Sequence, residues 1–182
     1  MTLEIILGMI LAGILSNNYP LIECLGTGAV LENERSNRRS LVLGLGTTVV
    51  MLISTLITWP INKFLLSNAS YLQTLVFVCV VLVVVEVFHL IEHNVIEKFC
   101  RVDFIKFAIN GAVLGLCIHN THLEFLPALI TTIGVGLGFT LVLTVFSALE
   151  FRIDYDAVPY SFRGLPIHLL IAGMIVLALL CF

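Results

Sequence analysis

The chain has 182 residues, of which 59% are apolar and 12% charged, with a mean hydropathy of +1.10. A water-facing globule needs roughly 25% charged residues, so the polar surface is too small for a soluble domain and the chain reads as an integral membrane protein. Its nine basic and twelve acidic residues leave a net charge of −3, which removes the basic footprint of a nucleic-acid binder.

About 20 residues cross a bilayer as a helix. Runs free of Asp, Glu, Lys and Arg occur at Ile5–Ile22, Ser40–Trp59, Tyr71–Val85 (extendable to Ile91), Phe107–Leu123, Phe125–Leu149 and Gly164–Phe182. They are continuously apolar, whereas barrel strands alternate, so the expected fold is all-α with six transmembrane helices in a single membrane domain over residues 1–182. No basic residue precedes the first run and no A-x-A site follows it, so it reads as a retained helix rather than a cleaved signal peptide.

Orientation follows the basic residues of the connections. Arg35, Arg38, Arg39, Lys98, Arg101, Lys106, Arg152 and Arg163 fall on one side and Lys63 alone on the other, which predicts both termini outside the cytoplasm. Asn68-Ala69-Ser70 matches a glycosylation sequon on the outer side, without meaning in a bacterial-type protein.

Two echoes divide the chain into halves, residues 1–98 and 99–182. Thr27-Gly28-Ala29-Val30-Leu31 matches Asn110-Gly111-Ala112-Val113-Leu114, and Leu45-Gly46-x-Thr48-x-Val50 matches Leu137-Gly138-x-Thr140-x-Val142. Three helices per half force the second half to enter from the opposite side, so an inverted repeat is expected. Such repeats place sites at breaks in their helices. Asn17-Asn18-Tyr19-Pro20 is the expected break in the first helix, because Pro20 removes a donor and disfavours helix at Tyr19, and Asn110-Gly111 is the expected weak point of the fourth.

Several segments carry a resemblance: Asn17-Asn18-Tyr19-Pro20-Leu21, Gly46-Thr47-Thr48-Val49-Val50-Met51, Tyr71-Leu72-Gln73-Thr74-Leu75, Asn110-x-Ala112-Val113-Leu114-Gly115, and Val158-Pro159-x-x-Phe162-Arg163-Gly164 followed by Ile171-Ala172-Gly173-Met174. Over almost the whole chain the sequence resembles the Rnf/Nqr membrane subunit family, on its Rnf A and Nqr E side. The resemblance implies a subunit of an ion-translocating electron-transport complex in a bacterial-type inner membrane, a relay or non-catalytic subunit forming half of a pseudo-symmetric core that couples electron transfer to Na⁺ or H⁺ movement. It also implies a homologous six-helix partner of the Rnf E or Nqr D type, with flavin- and iron–sulfur-containing subunits.

In that family each subunit gives two cysteines to a shared [2Fe-2S] cluster. In register with the motifs those positions are Gly28 and Gly111. Glycine has no side chain to ligate, and such clusters need thiolate or imidazole, so the cluster is expected to be absent or altered. Cys24 and Cys117 are the nearest thiols and would be metal ligands only if the ligands have moved; their unequal offsets favour small apolar packing residues instead. With Cys79, Cys100 and Cys181 they form neither a disulfide framework nor a C-x-x-C knuckle.

The expected ion or electron path comprises Asn17, Asn18, Glu23, Gly28, Asn110 and Gly111. Glu23 follows the first break and is suited to binding a cation or relaying a proton, with an Asn18 or intersubunit partner as the bland alternative. Glu86 reads as interfacial. His89-Leu90-Ile91-Glu92-His93 fits the H-x-x-E-H zinc pattern but has no identifiable third ligand. His119, His122 and Glu124 read as interfacial polar residues, and His168 as a hydrogen-bond donor across helices. The glycines of 44–46 and 134–138 are expected to let helices approach closely. The competing reading is a stand-alone small-solute or ion transporter of the same fold without redox chemistry, for which the bare backbone at Gly28 and Gly111 would suit substrate coordination.

Overall fold

The computed structural model describes residues 3–14, 37–66, 70–95, 111–154, 156 and 158–179. Among these residues the regular structure is all helical. Six α-helices follow in order: α1 (Leu3–Ile14), α2 (Asn37–Phe64), α3 (Gln73–Val95), α4 (Gly111–His119), α5 (Phe125–Glu150) and α6 (Leu165–Leu179). Single 3₁₀ turns lie at Ser70–Leu72, Asn120–His122 and Tyr160–Phe162. Each helix coincides with one apolar run. Ser40–Phe64 and Phe125–Glu150 are long and apolar enough to cross a bilayer by themselves, and shorter apolar stretches occupy Glu4–Ile14, Gln73–Phe88 and Leu165–Ala178.

The second helix runs five residues beyond the Trp59 boundary, with Pro60 inside it. Proline removes one intrahelical bond, which a membrane helix tolerates where neighbouring groups hold the turn. Here Trp59 Nε1 donates to the Leu123 carbonyl at 3.1 Å, its ring packs edge-on to Phe125 at 5.0 Å, and the Lys63 ammonium sits 4.8 Å above it. One aromatic anchor therefore ties the far end of α2 to the start of α5, in the manner of interfacial tryptophans.

The distribution of side chains is that of a protein solvated by lipid. Leu41, Leu45, Val49 and Leu56 on α2 and Leu126, Leu137, Leu141 and Leu149 on α5 are exposed. Thr47, Thr48, Ser54, Thr55, Thr58, Asn120, Thr131, Thr132, Thr140, Ser147 and Glu150 are buried with Met51, Phe77, Val135, Phe139 and Phe146. Lipid gives apolar groups no reason to hide, so small and hydrogen-bonding residues are what bring membrane helices together.

Among the described residues the most extensive helix interface joins α2 and α5, and α1 also packs along α5. Both depend on glycine. A Cβ on Gly13 would come 2.8 Å from the Gly134 backbone, and one on Gly138 would come 3.0 Å from the Gly13 carbonyl. A Cβ on Gly44 would meet Thr140, and one on Gly136 would meet Thr48. The close approach expected at 44–46 and 134–138 is present at Gly44, Gly134, Gly136 and Gly138.

The Val158–Gly164 segment is a locked turn. Arg163 Nε donates to the Val158 carbonyl at 2.9 Å and Nη2 to the Asp156 carbonyl at 3.3 Å. Gly164 takes φ +84°, a left-handed conformation that side chains rarely adopt, and α6 starts at the next residue.

Candidate functional site

The α2–α5 interface is a seam of hydroxyls. Thr48 Oγ1 and Thr140 Oγ1 face each other at 3.4 Å, and each donates to the carbonyl four residues back, Gly44 at 2.8 Å and Gly136 at 2.9 Å. The contact is reciprocal: Thr48 packs on Gly136, and Thr140 on Gly44. Threonine suits the position because its hydroxyl bonds within its own helix and still offers a lone pair to a neighbour.

Toward the C-terminal part of α2 the seam holds a second polar group. Thr55 Oγ1 and Thr132 Oγ1 lie 3.2 Å apart. Asn120, in the 3₁₀ turn after α4, donates from Nδ2 to Thr132 Oγ1 at 2.9 Å and to Thr55 Oγ1 at 3.3 Å. Thr132 in turn donates to the Ala128 carbonyl at 2.7 Å. Asn120 is 2% exposed, and its Oδ1 accepts no hydrogen bond from any described group.

At the opposite end of α5 the polar residues are ionisable. His168 Nε2 on α6 lies 3.3 Å from Glu150 Oε1, the last residue of α5, and the imidazole packs edge-on against Phe146 with centroids 5.9 Å apart. Glu150 is buried although it ends its helix, where the macrodipole disfavours an anion. The bond across helices expected of His168 is therefore present, with Glu150 as its partner.

Of the expected path residues, Asn17, Asn18, Glu23, Cys24, Gly28 and Asn110 lie outside the described residues. Gly111 opens α4 and is exposed. Cys117 is buried in the core near Thr58, whose hydroxyl donates to the Ser54 carbonyl at 2.7 Å. Glu86, His119, His122 and Glu124 are exposed. The backbone of residues 89–93 belongs to α3. Among the described residues no three His, Cys, Asp or Glu side chains converge as a metal site.

Sequence reasoning misses Asn120 and Glu150. Asn120 lies inside an apolar run, where a neutral amide does not interrupt the count. Glu150 falls at the polar boundary of its run; a carboxylate ending an otherwise uncharged helix is the available signal.

The family model described as "Rnf-Nqr subunit, membrane protein" matches residues 6–182. Similar curated proteins are each named as the A subunit of an ion-translocating oxidoreductase complex. The one from Syntrophotalea carbinolica is 31% identical over 181 residues, covering 96% of this chain and 94% of the relative. That from Pectobacterium atrosepticum is 32% identical over 176 residues, 93% of this chain and 91% of the relative. That from Glaesserella parasuis is 32% identical over 181 residues, again 96% and 94%.

Proposed function

Since the chain belongs to the Rnf-Nqr family of membrane subunits, we propose that it serves in an ion-translocating electron-transport complex as one half of a pseudo-symmetric membrane core that moves Na⁺ or H⁺. The observation that carries this reading is similarity over nearly the full length of relatives named as the A subunit of such a complex. The helices and the lipid-facing surface fit that setting. Assembly with a homologous six-helix partner and with flavin- and iron–sulfur-containing subunits, in a bacterial-type inner membrane with both termini outside the cytoplasm, belongs to the same proposal.

The inverted repeat is part of it. A two-fold axis relating the halves has to place each residue against the equivalent of its partner, and the Thr48–Thr140 contact with its reciprocal glycines supports this. The register that separates Thr48 from Thr140 by 92 residues also carries Ser40 onto Thr132 and Thr55 onto Ser147. All four are buried hydroxyl residues. Breaks at Asn17–Pro20 and Asn110–Gly111, with Glu23 as the ionisable group of the path, complete the reading.

This chain supplies no thiolate at Gly28 or Gly111. Cys117, the nearer thiol to Gly111, is buried among the apolar side chains of the core. The described residues therefore do not fit the family's [2Fe-2S] cluster, and no electron-transfer step is assigned to side chains of this subunit. Its role is ion path and scaffold.

Ion transport in membrane vesicles energised through the complex tests the reading. Deleting the chain should abolish transport. Glu23→Gln should lower ion movement per electron while the complex still assembles. Unchanged transport in that variant removes Glu23 from the path, and transport without the chain removes the whole polypeptide from the mechanism.

A further inference from the structure

We propose that the groove between α2 and α3 binds one acyl chain of a membrane phospholipid, whose headgroup rests at the Asn62–Gln73 end. The groove has a volume of about 290 Å³; it runs along α3 from Leu75 to Val84, and Ile57 of α2 forms its other wall. Leu75 and Val83 are exposed, so the groove opens on the surface that faces lipid. Every lining side chain is aliphatic except Cys79, whose thiol is exposed. Such a lining gives water no bonding partners, whereas it suits a hydrocarbon chain.

The walls cannot relax to fill the space. Val76, Val80, Val83 and Val84 are β-branched and hold one χ1 rotamer in a helix, and the small Cys79 side chain lies among them. The second half of the chain shows what closes such a groove. α3 and α6 each follow a 3₁₀ turn, and they start in the register of 92 residues that separates Thr48 from Thr140. That register carries Cys79 onto Ile171 and Val83 onto Ile175, and both isoleucines are buried in the core cluster. Where the second half packs isoleucine, the first has a thiol beside open space.

Length and depth fit one leaflet. The stretch from Leu75 to Val84 rises about 14 Å, close to half of a hydrocarbon layer roughly 30 Å thick. The groove starts at the polar boundary, because Gln73, two residues before Leu75, donates from Nε2 to Asn62 Oδ1 at 3.0 Å. Tyr71 is exposed in the 3₁₀ turn just before α3, and Trp59 and Lys63 mark the same end of α2, as interfacial residues do. Asn62 Nδ2 is bonded to no described residue, so it can donate to an ester or phosphate oxygen. Lys63, next along α2, brings a cation to the same boundary as the phosphate. An apolar trough with a few polar groups at one end is the general form of a site for such a ligand.

Native mass spectrometry of the full chain, purified in detergent and titrated with long-chain phosphatidylglycerol, tests the site. The first lipid should bind at least about tenfold more tightly than those that follow, because only it gains dispersion contacts on several sides. A short-chain analogue, whose acyl chains reach only half-way along the groove, should show no such preference. Cys79→Ile copies the closed half and should bring the first binding constant to the level of the others. Cys79→Ala keeps the space open and should leave the preference in place, as should Leu82→Phe, which adds bulk to the exposed side of α3 outside the groove. Asn62→Leu removes the headgroup donor and should weaken the first step about two- to tenfold. If Cys79→Ile does not fold, Val83→Phe fills the groove and carries the test. Equal constants for every lipid in the wild type, an unchanged first step in Cys79→Ile, or a preference that the short-chain analogue reproduces overturns the site and leaves ordinary lipid solvation. A prenyl lipid retained in place of phospholipid overturns the assigned occupant.

Discussion

The two ends of the α2–α5 seam are built from opposite materials. The Asn120 end is neutral, an amide and two hydroxyls whose hydrogen bonds use every donor present. The Glu150 end is ionisable, a buried carboxylate against an imidazole. Between them lies a reciprocal glycine–threonine contact in which neither helix can gain a methyl group. The neutral group holds its helices by hydrogen bonds alone, whereas removing one partner of the Glu150–His168 pair leaves an ionisable group buried without it. The seam is therefore closed by hydrogen bonds between neutral groups at one end and by a contact that fixes α6 on α5 at the other.

That comparison breaks most visibly at the ionisable end. His168→Leu removes one partner of a buried pair, a change that typically costs about 3–5 kcal/mol; because His168 is partly exposed and Glu150 has other interactions, about 2–3 kcal/mol is expected. Thermal unfolding in detergent should show it as a large drop in Tm, and adding Glu150→Leu should restore most of the loss. A single variant with unchanged Tm would remove the pair from the account of stability.

The middle of the seam should respond less and more specifically. Gly136→Ala places a Cβ against Thr48 and should cost about 1–3 kcal/mol by overpacking. Thr48→Ala should relieve much of that cost, and the coupling measured in a double-mutant cycle should exceed about 0.5 kcal/mol. Additive effects would mean that the helices separate freely at this point.

The smallest effect is expected for the hydroxyls alone. Thr140→Val deletes a membrane hydrogen bond worth about 0.6 kcal/mol, so Tm should change little. A large loss there would show that the threonines, rather than the glycines, hold α2 to α5.

Much of this architecture is legible in the chain itself. Long uncharged runs locate all six helices, because burying backbone in lipid demands continuous apolar helix, and the Phe125–Leu149 run differs from α5 only by Glu150. The run boundary at Trp59 falls short of the end of α2, which continues through Pro60 where the Trp59 anchor holds the turn. The polar seam is harder to read. Threonine and asparagine barely perturb a hydropathy run, and only packing shows which of them face one another. Asn120 is the clearest case, since its partners Thr55 and Thr132 lie 65 and 12 residues away. Glu150 and His168, 18 positions apart in the sequence, meet where α6 returns onto α5 after the locked Val158–Gly164 turn.

Co-purification from the native membrane in mild detergent, with each associated chain identified by mass spectrometry, tests the central claim most directly. The account predicts recovery with a homologous six-helix membrane protein and with flavin-containing subunits. Recovery of this chain alone, or only with copies of itself, would contradict it and favour a stand-alone transporter of the same fold.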